Sequence, residues 1–209
     1  MLPRLPQVVQ ENAALRAQLA AQHAELAQLR ERARHEAAAA ELTASVGAQA
    51  AQVATVIGRT LIPTQHLLIV DRGRRDGLIQ HGIVVDAAGL IGRVMEVRPT
   101  TSSVLLITDP DSRIACLIAR SRESGLLIGT GESLCQLVYL DLDADIVVDD
   151  EVVTAGVGGP FPKGLLVGRV VRIDQDARNA QTVAWVRPAA KLHRVEEVLC
   201  LSPSSFSSP

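Results

Sequence analysis

The chain has 209 residues, a formal net charge of -2 and an isoelectric point near 6.2, so it can bury the cores of one or two small domains. A slightly acidic chain lacks the basic face that phosphate backbones require, which argues against nucleic acid as the main partner. Only 2% of the residues are aromatic, so base-stacking platforms and aromatic sugar-binding shelves are not expected. The core is therefore expected to be aliphatic.

A heptad repeat runs from about Leu5 to Ala40 in a segment rich in strong helix formers. Asn12 occupies an a position, where an asparagine pairs across the seam of a parallel coiled coil and favours two strands. The pattern predicts a helix that joins two copies of the chain, and a solitary surface helix is the alternative. The expected dimer seam consists of Leu5, Val8, Asn12, Leu15, Leu19, Leu26 and Leu29.

Beyond about Ala51 the hydrophobic period changes to two, and short apolar runs alternate with turn signals. No amphipathic helical window separates these runs, which is typical of all-β sandwiches or barrels. The predicted strands are Val53–Gly58, Leu67–Asp71, Gly82–Asp86, Leu90–Val97, Val104–Thr108, Ile114–Ala119, Gly125–Gly129, Gln136–Leu140, Glu151–Thr154, Leu166–Ile173, Thr182–Val186 and Val195–Leu201.

A weak internal repeat divides these strands into two sets. GLIGRV at Gly89–Val94 resembles GLLVGRV at Gly164–Val170, and each follows a short Val-Val strand. We therefore predict a mainly β fold, in which the helix precedes two small barrels of about six strands each. The expected ranges are 1–51 for the dimerisation helix, 52–110 for the first barrel, 111–202 for the second barrel and 203–209 for a disordered Ser/Pro-rich tail. Alternatively, the C-terminal strand returns to close the first barrel.

The segment Val152–Val170, VVTAGVGGPFPKGLLVGRV, predicts a strand, a rigid turn and a second strand. A P-loop needs GxxxxGK[ST] at the start of a helix, but here a strand follows Lys163-Gly164. Pro160 likewise interrupts a GxGxxG fingerprint. We interpret the segment as a structural corner whose characteristic residues are Thr154, Gly156, Gly158, Gly159, Phe161, Pro162, Gly164 and Gly168.

No catalytic residue, metal or cofactor is predicted. No GxSxG-like loop surrounds a serine, and no spacing supplies a histidine held by a carboxylate. The acidic run from Asp141 to Asp150 lacks the glycine and closing glutamate of a calcium loop, so we interpret it as a solvated hairpin. Arg72, Arg74 and Arg75 form a charged turn, which is a candidate for part of a protein interface.

The three cysteines, Cys116, Cys135 and Cys200, lie in apolar, strand-like runs and are expected to be small buried hydrophobes. No CxxC spacing points to zinc, and Cys116 would pair with Cys135 only if their strands are neighbours.

No apolar run reaches the ~18 residues of a bilayer span, and no signal-peptide core precedes the helix. The chain as written is expected to be soluble.

Four passages resemble the bacterial rod shape-determining MreC family. They are ENxxLRxxL at Glu11–Leu19, VIGR at Val56–Arg59 with DRGRRDGL at Asp71–Leu78, VVDAAGLIGRV at Val84–Val94 with LLITDPDSRI at Leu105–Ile114, and the segment Val152–Val170. The last usually reads TSG where this chain has Thr154-Ala155-Gly156. The resemblance covers nearly the whole chain apart from its last few residues.

The resemblance implies a coiled coil followed by two barrels of chymotrypsin-like topology without a catalytic triad. It implies a non-enzymatic scaffold of cell elongation, which maintains rod shape by recruiting peptidoglycan-synthesis proteins and has no cofactor. The expected partners are a second copy, in a dimer or filament, a class B penicillin-binding protein, MreD and MreB. The expected location is the periplasm, with an inner-membrane anchor that precedes the heptads in the family, whereas this chain begins at Met1-Leu2-Pro3.

Two other functions remain open from the sequence. One is a serine-protease-like double-barrel enzyme, and the other is a periplasmic adaptor of an efflux system. Adaptors usually insert a folded-back helical hairpin between barrel halves, whereas this chain has a single heptad segment. For a scaffold, we expect recruitment through exposed strand edges and apolar patches.

Overall fold

The computed structural model describes residues 50–176 and 181–202, together with six helical residues nearer the N-terminus, which are 15, 16, 18, 19, 22 and 23. The chain divides into two compact units, residues 1–41 and 42–209. Among the described residues, no helix is both long and apolar enough to cross a bilayer.

The regular secondary structure in the described part of the second unit consists of twelve strands and one short 3₁₀ helix, Arg74–Asp76, which confirms the predicted mainly β fold. Apolar β-branched and leucine runs form the strands, and Gly, Asp and Pro clusters separate them. The strands are β1 (Ala50–Ile62), β2 (Gln65–Val70), β3 (Ile83–Val85), β4 (Leu90–Val97), β5 (Ser102–Leu106), β6 (Arg113–Ile118), β7 (Ser124–Gly129), β8 (Cys135–Leu140), β9 (Glu151–Thr154), β10 (Leu166–Asp176), β11 (Gln181–Pro188) and β12 (Glu197–Ser202).

The strands close into two six-stranded barrels, and all neighbouring strands are antiparallel. The second barrel is continuous in sequence, with the order β6-β7-β8-β11-β10-β9. The first barrel has the order β12-β1-β2-β5-β4-β3, so the last described strand lies between β1 and β3. The expected range of 111–202 for the second barrel therefore includes a strand that belongs to the first. Because both sheets are closed, the strand edges expected to recruit partners are paired along most of their length.

Both barrels repeat one arrangement of strands once β12 is counted as the first strand of its barrel. The predicted sequence repeat falls on equivalent strands, β4 and β10. Val84 pairs with Gly92 across β3 and β4, and Val152 pairs with Gly168 across β9 and β10. A register shift adjoins each of these pairs, so the repeat extends to the position of a bulge.

The core of each barrel is aliphatic, as the composition predicts. Burying one large aliphatic side chain contributes about 1.5–3 kcal/mol to the free energy of unfolding. The largest fully buried side chains are Leu68, Ile83, Leu90, Ile91, Leu106, Ile107, Ile114, Ile118, Leu127, Leu137, Leu140 and Leu201.

A buried carboxylate fixes the link between the barrels. Asp109 lies between β5 and β6, is 2% exposed, and accepts hydrogen bonds from the backbone N–H groups of His66 (2.6 Å) and Asp111 (2.8 Å). The neighbouring Thr108 carbonyl accepts from Gly131 N (2.9 Å), in the turn between β7 and β8. The link therefore bonds to both barrels, through the start of β2 and through this turn.

Candidate interaction surfaces

Two residues of the expected dimer seam lie among the described residues. Leu15 and Leu19 are helical, and their side chains are 55% and 53% exposed. Residues four apart lie on one helix face, so the two leucines form an apolar stripe of the kind that a partner helix covers. The coiled coil and the dimer stay predictions, because the other seam residues, Leu5, Val8, Asn12, Leu26 and Leu29, lie outside the described residues.

Thr154 closes the base of the signature turn, which we define as residues 154–164. Its Oγ1 donates to the carbonyl of Pro162 and accepts from the backbone N–H of Leu165 (2.9 Å). Its own backbone N–H donates to Leu165 O (2.9 Å), and its carbonyl accepts from Gly164 N (2.9 Å). Thr154 is fully buried, so water cannot replace these bonds. One side chain therefore ties together both ends of the turn.

The signature turn needs glycine at positions where the backbone is left-handed. Gly156 and Gly164 have φ angles of 77° and 92°, and a Cβ on Gly156 would lie only 2.7 Å from that of Lys163. Phe161 and Pro162 are buried, whereas the remaining signature residues of the turn, Gly158 and Gly159, are exposed. The turn is thus a compact corner that leads into a strand, as the sequence predicts.

Gly168 lies outside the turn, in β10, where it allows two strands to approach closely. A Cβ on Gly168 would overlap the carbonyl oxygen of Arg187 in β11. Gly92 has the same role in the first barrel, since a Cβ there would overlap the carbonyl oxygen of Leu105 in β5. The second glycine of each sequence repeat is therefore required for the same reason in both barrels, which is the close approach of an adjacent strand.

The signature turn is the longer counterpart of a short corner in the first barrel. Asp86 directly follows β3, and Thr154 occupies the equivalent position at the end of β9. The Oδ1 atom of Asp86 accepts from the backbone N–H of Gly89 (2.9 Å). The Asp86 N–H donates back to Gly89 O (2.9 Å), matching the Thr154–Leu165 bond. A Cβ on Gly89 would lie 2.6 Å from the carbonyl oxygen of Leu166, so the short corner touches the second barrel where the signature turn ends. This contact places the short corner at the inter-barrel junction, beside the strand that follows the signature turn.

Arg120 organises the acidic loop, which we define as residues 141–150. Its guanidinium donates to the carboxylates of Asp145 (2.6 and 3.0 Å) and Asp150 (2.9 and 3.0 Å). Asp150, 7% exposed, also accepts from the backbone N–H of Val147 (2.9 Å). The hydrogen bonds from Arg120 hold the pKa of both carboxyls below its usual range. The run predicted as a solvated hairpin is thus a loop built around one arginine, which local spacing could not reveal.

The acidic loop presents apolar side chains to solvent. Val147 is 50% exposed and Val148 53% exposed, next to the residues that Arg120 binds. Leu142 is 44% exposed on the same loop. Because the ion pairs fix the backbone around them, these side chains form a preorganised surface rather than a core.

The basic loop, which we define as residues 71–82, contains the predicted charged turn. Asp71 pairs with Arg72 (3.0 Å), and the carboxylate of Asp76 accepts from the backbone N–H of Gly73 (2.9 Å). Arg74 and Arg75 are exposed. The loop therefore keeps its acidic groups occupied and directs positive charge to solvent.

The histidine nearest to a catalytic arrangement does not form a triad. The buried His66 ring bonds through Nδ1 to Thr108 Oγ1 (2.7 Å). Asp109 bonds to the His66 backbone instead of the ring, so among the described residues no carboxylate hydrogen-bonds the imidazole as triad chemistry requires. The group is better explained as part of the inter-barrel link.

The three cysteines are buried free thiols. Burial raises the pKa of Cys135 and Cys200 to about 12, and burial, with a smaller contribution from Cys135, also raises that of Cys116. Cys116 and Cys135 are therefore not paired, and both behave as the small hydrophobes that their apolar strands predict.

Residues 56–202 match the family model described as "Rod shape-determining protein MreC, barrel core". The cell shape-determining protein MreC of Escherichia coli is 34% identical over 194 residues, which cover 91% of this chain and 53% of that protein. The corresponding protein of Cereibacter sphaeroides is 38% identical over 110 residues, 53% of this chain and 37% of that protein. This chain thus spans about half, or less, of the length of these two relatives.

Solved structures agree with these sequence matches. A structure of MreC superposes with a TM-score of 0.74 at 31% identity, covering 83% of this chain and 99% of that one. MreC from Pseudomonas aeruginosa gives 0.71 at 33% identity, over 74% of this chain and all of that one. A Helicobacter pylori complex of a penicillin-binding protein, PBP2, with MreC shares the fold, with a TM-score of 0.57 at 20% identity over 74% of this chain and 99% of that one. From its sequence match, its paired barrels and these neighbours, the chain belongs to the MreC family of rod shape-determining proteins.

Proposed function

We propose that this chain is a non-enzymatic scaffold of cell elongation, which maintains rod shape by dimerising and recruiting peptidoglycan-synthesis proteins. Family membership carries the proposal, because the curated relatives described above are cell shape-determining proteins. The closed barrels support it, since they direct loops and exposed apolar side chains to solvent, and such surfaces suit protein partners.

The proposed recruited partner is a class B penicillin-binding protein. The Helicobacter pylori MreC of the same fold is in complex with PBP2, and we extend that partner class to this chain. MreD and MreB complete the proposed set on the strength of the family resemblance. The proposed location is the periplasm, since a related structure is described as the major periplasmic domain of MreC. The proposed inner-membrane anchor rests on the family resemblance alone.

Binding of this chain to the periplasmic part of a class B penicillin-binding protein from the same cell tests recruitment. We expect saturable binding in a biolayer interferometry titration, with a periplasmic protein of similar charge as the negative control. Absence of binding by the folded chain would reject recruitment of that enzyme class.

The proposed dimer depends on the leucine stripe of the helix. We expect Leu19→Asp to abolish dimerisation, because a carboxylate in an apolar seam loses its hydration without gaining a partner. Light scattering should report half the wild-type mass, with an unchanged β-sheet circular dichroism signal. Gln18→Asp, one position off the stripe, is the matched control and should remain dimeric. A monomeric wild type at micromolar concentration would contradict the seam.

The non-enzymatic part of the proposal is tested with a fluorophosphonate probe. A scaffold without an activated serine should show no covalent labelling above that of the heat-unfolded chain. Stoichiometric labelling of the native chain would instead support the serine-protease-like alternative.

A further inference from the structure

The basic and acidic loops occupy equivalent positions in the two barrels. The basic loop joins β2 to β3, and the acidic loop joins β8 to β9, which are equivalent strands in the repeated order. His81 N donates to Val94 O (2.9 Å), and Asp149 N donates to Val170 O (2.8 Å) in the matching place. His81 and Asp149 are also both left-handed, with φ of 65° and 72°. The two loops therefore leave their barrels with one local geometry.

An exposed apolar side chain lies at the same position in both loops. The carbonyl of Ile79 accepts from Gly82 N, and that of Val147 accepts from Asp150 N, each at 3.2 Å. Ile79 is 46% exposed and Val147 50% exposed. Both side chains are thus exposed among the described residues, where a partner could reach them.

The charges of the two loops are opposite. Within the described part of the chain, no ion pair is formed by the exposed Arg74 and Arg75. The acidic loop uses Asp145 and Asp150 to bind Arg120, and its other carboxylates are exposed without an ion pair to any described residue. These carboxylates belong to Asp141, Asp143 and Asp149.

We propose that the basic loop of one copy binds the acidic loop of a second copy, with Ile79 and Val147 at the centre of the contact. Charge complementarity identifies the occupant, because each loop carries the sign that the other lacks. This contact goes beyond the helix-mediated dimer proposed above and does not require it. Exposed charges around a small apolar centre make it weak, fast-forming and sensitive to salt.

The contact joins two different surfaces, so it is heterologous. A copy bound through its basic loop keeps its acidic loop available for a third copy, unless the assembly closes into a ring. Combined with a symmetric helix dimer, the loop contact would add copies in succession, whereas the helix alone stops at two.

Charge exchange between the loops tests the proposal in the full chain. The first variant carries Arg74→Glu and Arg75→Glu, and the second carries Asp141→Lys and Asp143→Lys. In the first variant both loops are negative, and in the second the formal charge of the acidic loop falls from -5 to -1, so we expect the association of each variant beyond the helix dimer to weaken by about tenfold or more. In an equimolar mixture the unaltered basic loop of the second variant can bind the unaltered acidic loop of the first, so sedimentation equilibrium should show stronger association than for either variant alone.

Salt and control variants separate this contact from other kinds of association. Wild-type association should be strong near 0.01 M salt and weak near 1 M, where the Debye length falls from about 30 Å to about 3 Å. Glu132→Lys and Arg187→Glu reverse exposed charges outside both loops and should leave association unchanged. Leu19→Asp should remove the helix dimer and leave the loop contact, so the failures of the two proposals are distinguishable.

Three results would overturn the loop contact. They are a wild type that shows no association beyond the helix dimer at low salt, variants that associate as the wild type does, and a mixture no more associated than either variant alone. If the paired variants instead lose binding to a penicillin-binding protein while self-association is unchanged, the loops serve that partner and the copy–copy contact is wrong.

Discussion

At the scale of single residues, Thr154 and Asp86 have the same role, closing a corner between two strands, but they do so with different side chains. Each leaves a strand and accepts a backbone N–H from the residue that begins the return. The carboxylate of Asp86 spans a short corner, whereas the Thr154 hydroxyl also donates to Pro162 and so closes a longer one. The Thr154 hydroxyl therefore makes two hydrogen bonds in the signature turn, one as donor and one as acceptor.

Replacing Thr154 with valine should destabilise the second barrel by about 1–3 kcal/mol, because it leaves Leu165 N–H and Pro162 C=O without their buried partner. Urea unfolding followed by fluorescence of Trp185, the only tryptophan of the chain, measures the loss. Thr154→Ser keeps the hydroxyl and should lose much less. Equal losses in both variants would contradict a specific role of the hydroxyl, because Thr154→Val keeps the γ-methyl group whereas Thr154→Ser keeps the hydroxyl.

The cysteines predict a fall in stability at alkaline pH. Their native pKa values lie above the ordinary value of about 8.5, so above that pH the unfolded chain releases protons that the folded chain keeps. Stability from the buried thiols is thus complete below about pH 8.5 and declines as pH rises toward 12. Urea unfolding at about pH 7 and pH 10 should show the decline.

A chain with all three cysteines replaced by alanine is the control, and it should lose much of this pH dependence. Native thiols should also resist DTNB until the chain unfolds. Rapid labelling of the native chain would contradict their burial.

At the scale of elements, the equivalent strands β4 and β10 explain the sequence repeat. In both strands the repeat contains a glycine that packs closely against the carbonyl of a neighbouring strand, and a bulge adjoins this glycine. The repeat therefore has a structural cause and is not a binding motif. The corner before β4 also meets the start of β10 at the inter-barrel junction, where Gly89 lies against Leu166. Tolerance to substitution should therefore differ sharply between these glycines and Gly159 at the exposed tip of the signature turn, which has neither a close neighbour nor a left-handed backbone.

Gly168→Ala should cost about 1–3 kcal/mol, because the added methyl group forces β10 away from the carbonyl of Arg187. Gly159→Ala is the matched control, since the nearest atom to its added Cβ is 3.8 Å away, in Phe161. The control should change stability by no more than about 0.5 kcal/mol. Thermal unfolding of both variants compares them, and equal shifts would refute the close-approach argument.

The twelve strands could be predicted because each is an apolar run between turn residues. The bounds of β4 and β9 agree with the predicted Leu90–Val97 and Glu151–Thr154. β1 extends beyond its predicted end because polar residues such as Arg59 and Thr60 continue the hairpin with β2, which the alternation of hydrophobicity does not reveal. The role of Arg120 was missed because its partners are 25 and 30 residues away.

At the scale of the whole molecule, β12 connects the end of the chain to the first barrel. It pairs with β1 on one side and β3 on the other. Arg59 reinforces this closure by donating to the carbonyls of His193 and Val195, just before β12. The sequence left this closure open, because pairing between strands so far apart has no local signal.

A chain truncated after Arg194 should lose the first barrel and keep the second, because only the first uses β12. Hydrogen exchange should show lost protection in β1 and β3, with Trp185 fluorescence and protection of β11 retained. Truncation after Ser202 removes only residues 203–209 and should leave protection unchanged. Loss of protection throughout both barrels would show that they unfold as one cooperative unit.

The position of β12 also reverses the order in which the barrels can be completed during synthesis. At about 5–20 residues per second, β1 waits on the order of ten seconds for the strand that closes its sheet. The second barrel is contiguous from Arg113 to Pro188, so all six of its strands are synthesised before β12. The first barrel is therefore the later one to mature, and its unpaired β1 and β3 edges are the surfaces that a chaperone would have to protect until β12 emerges.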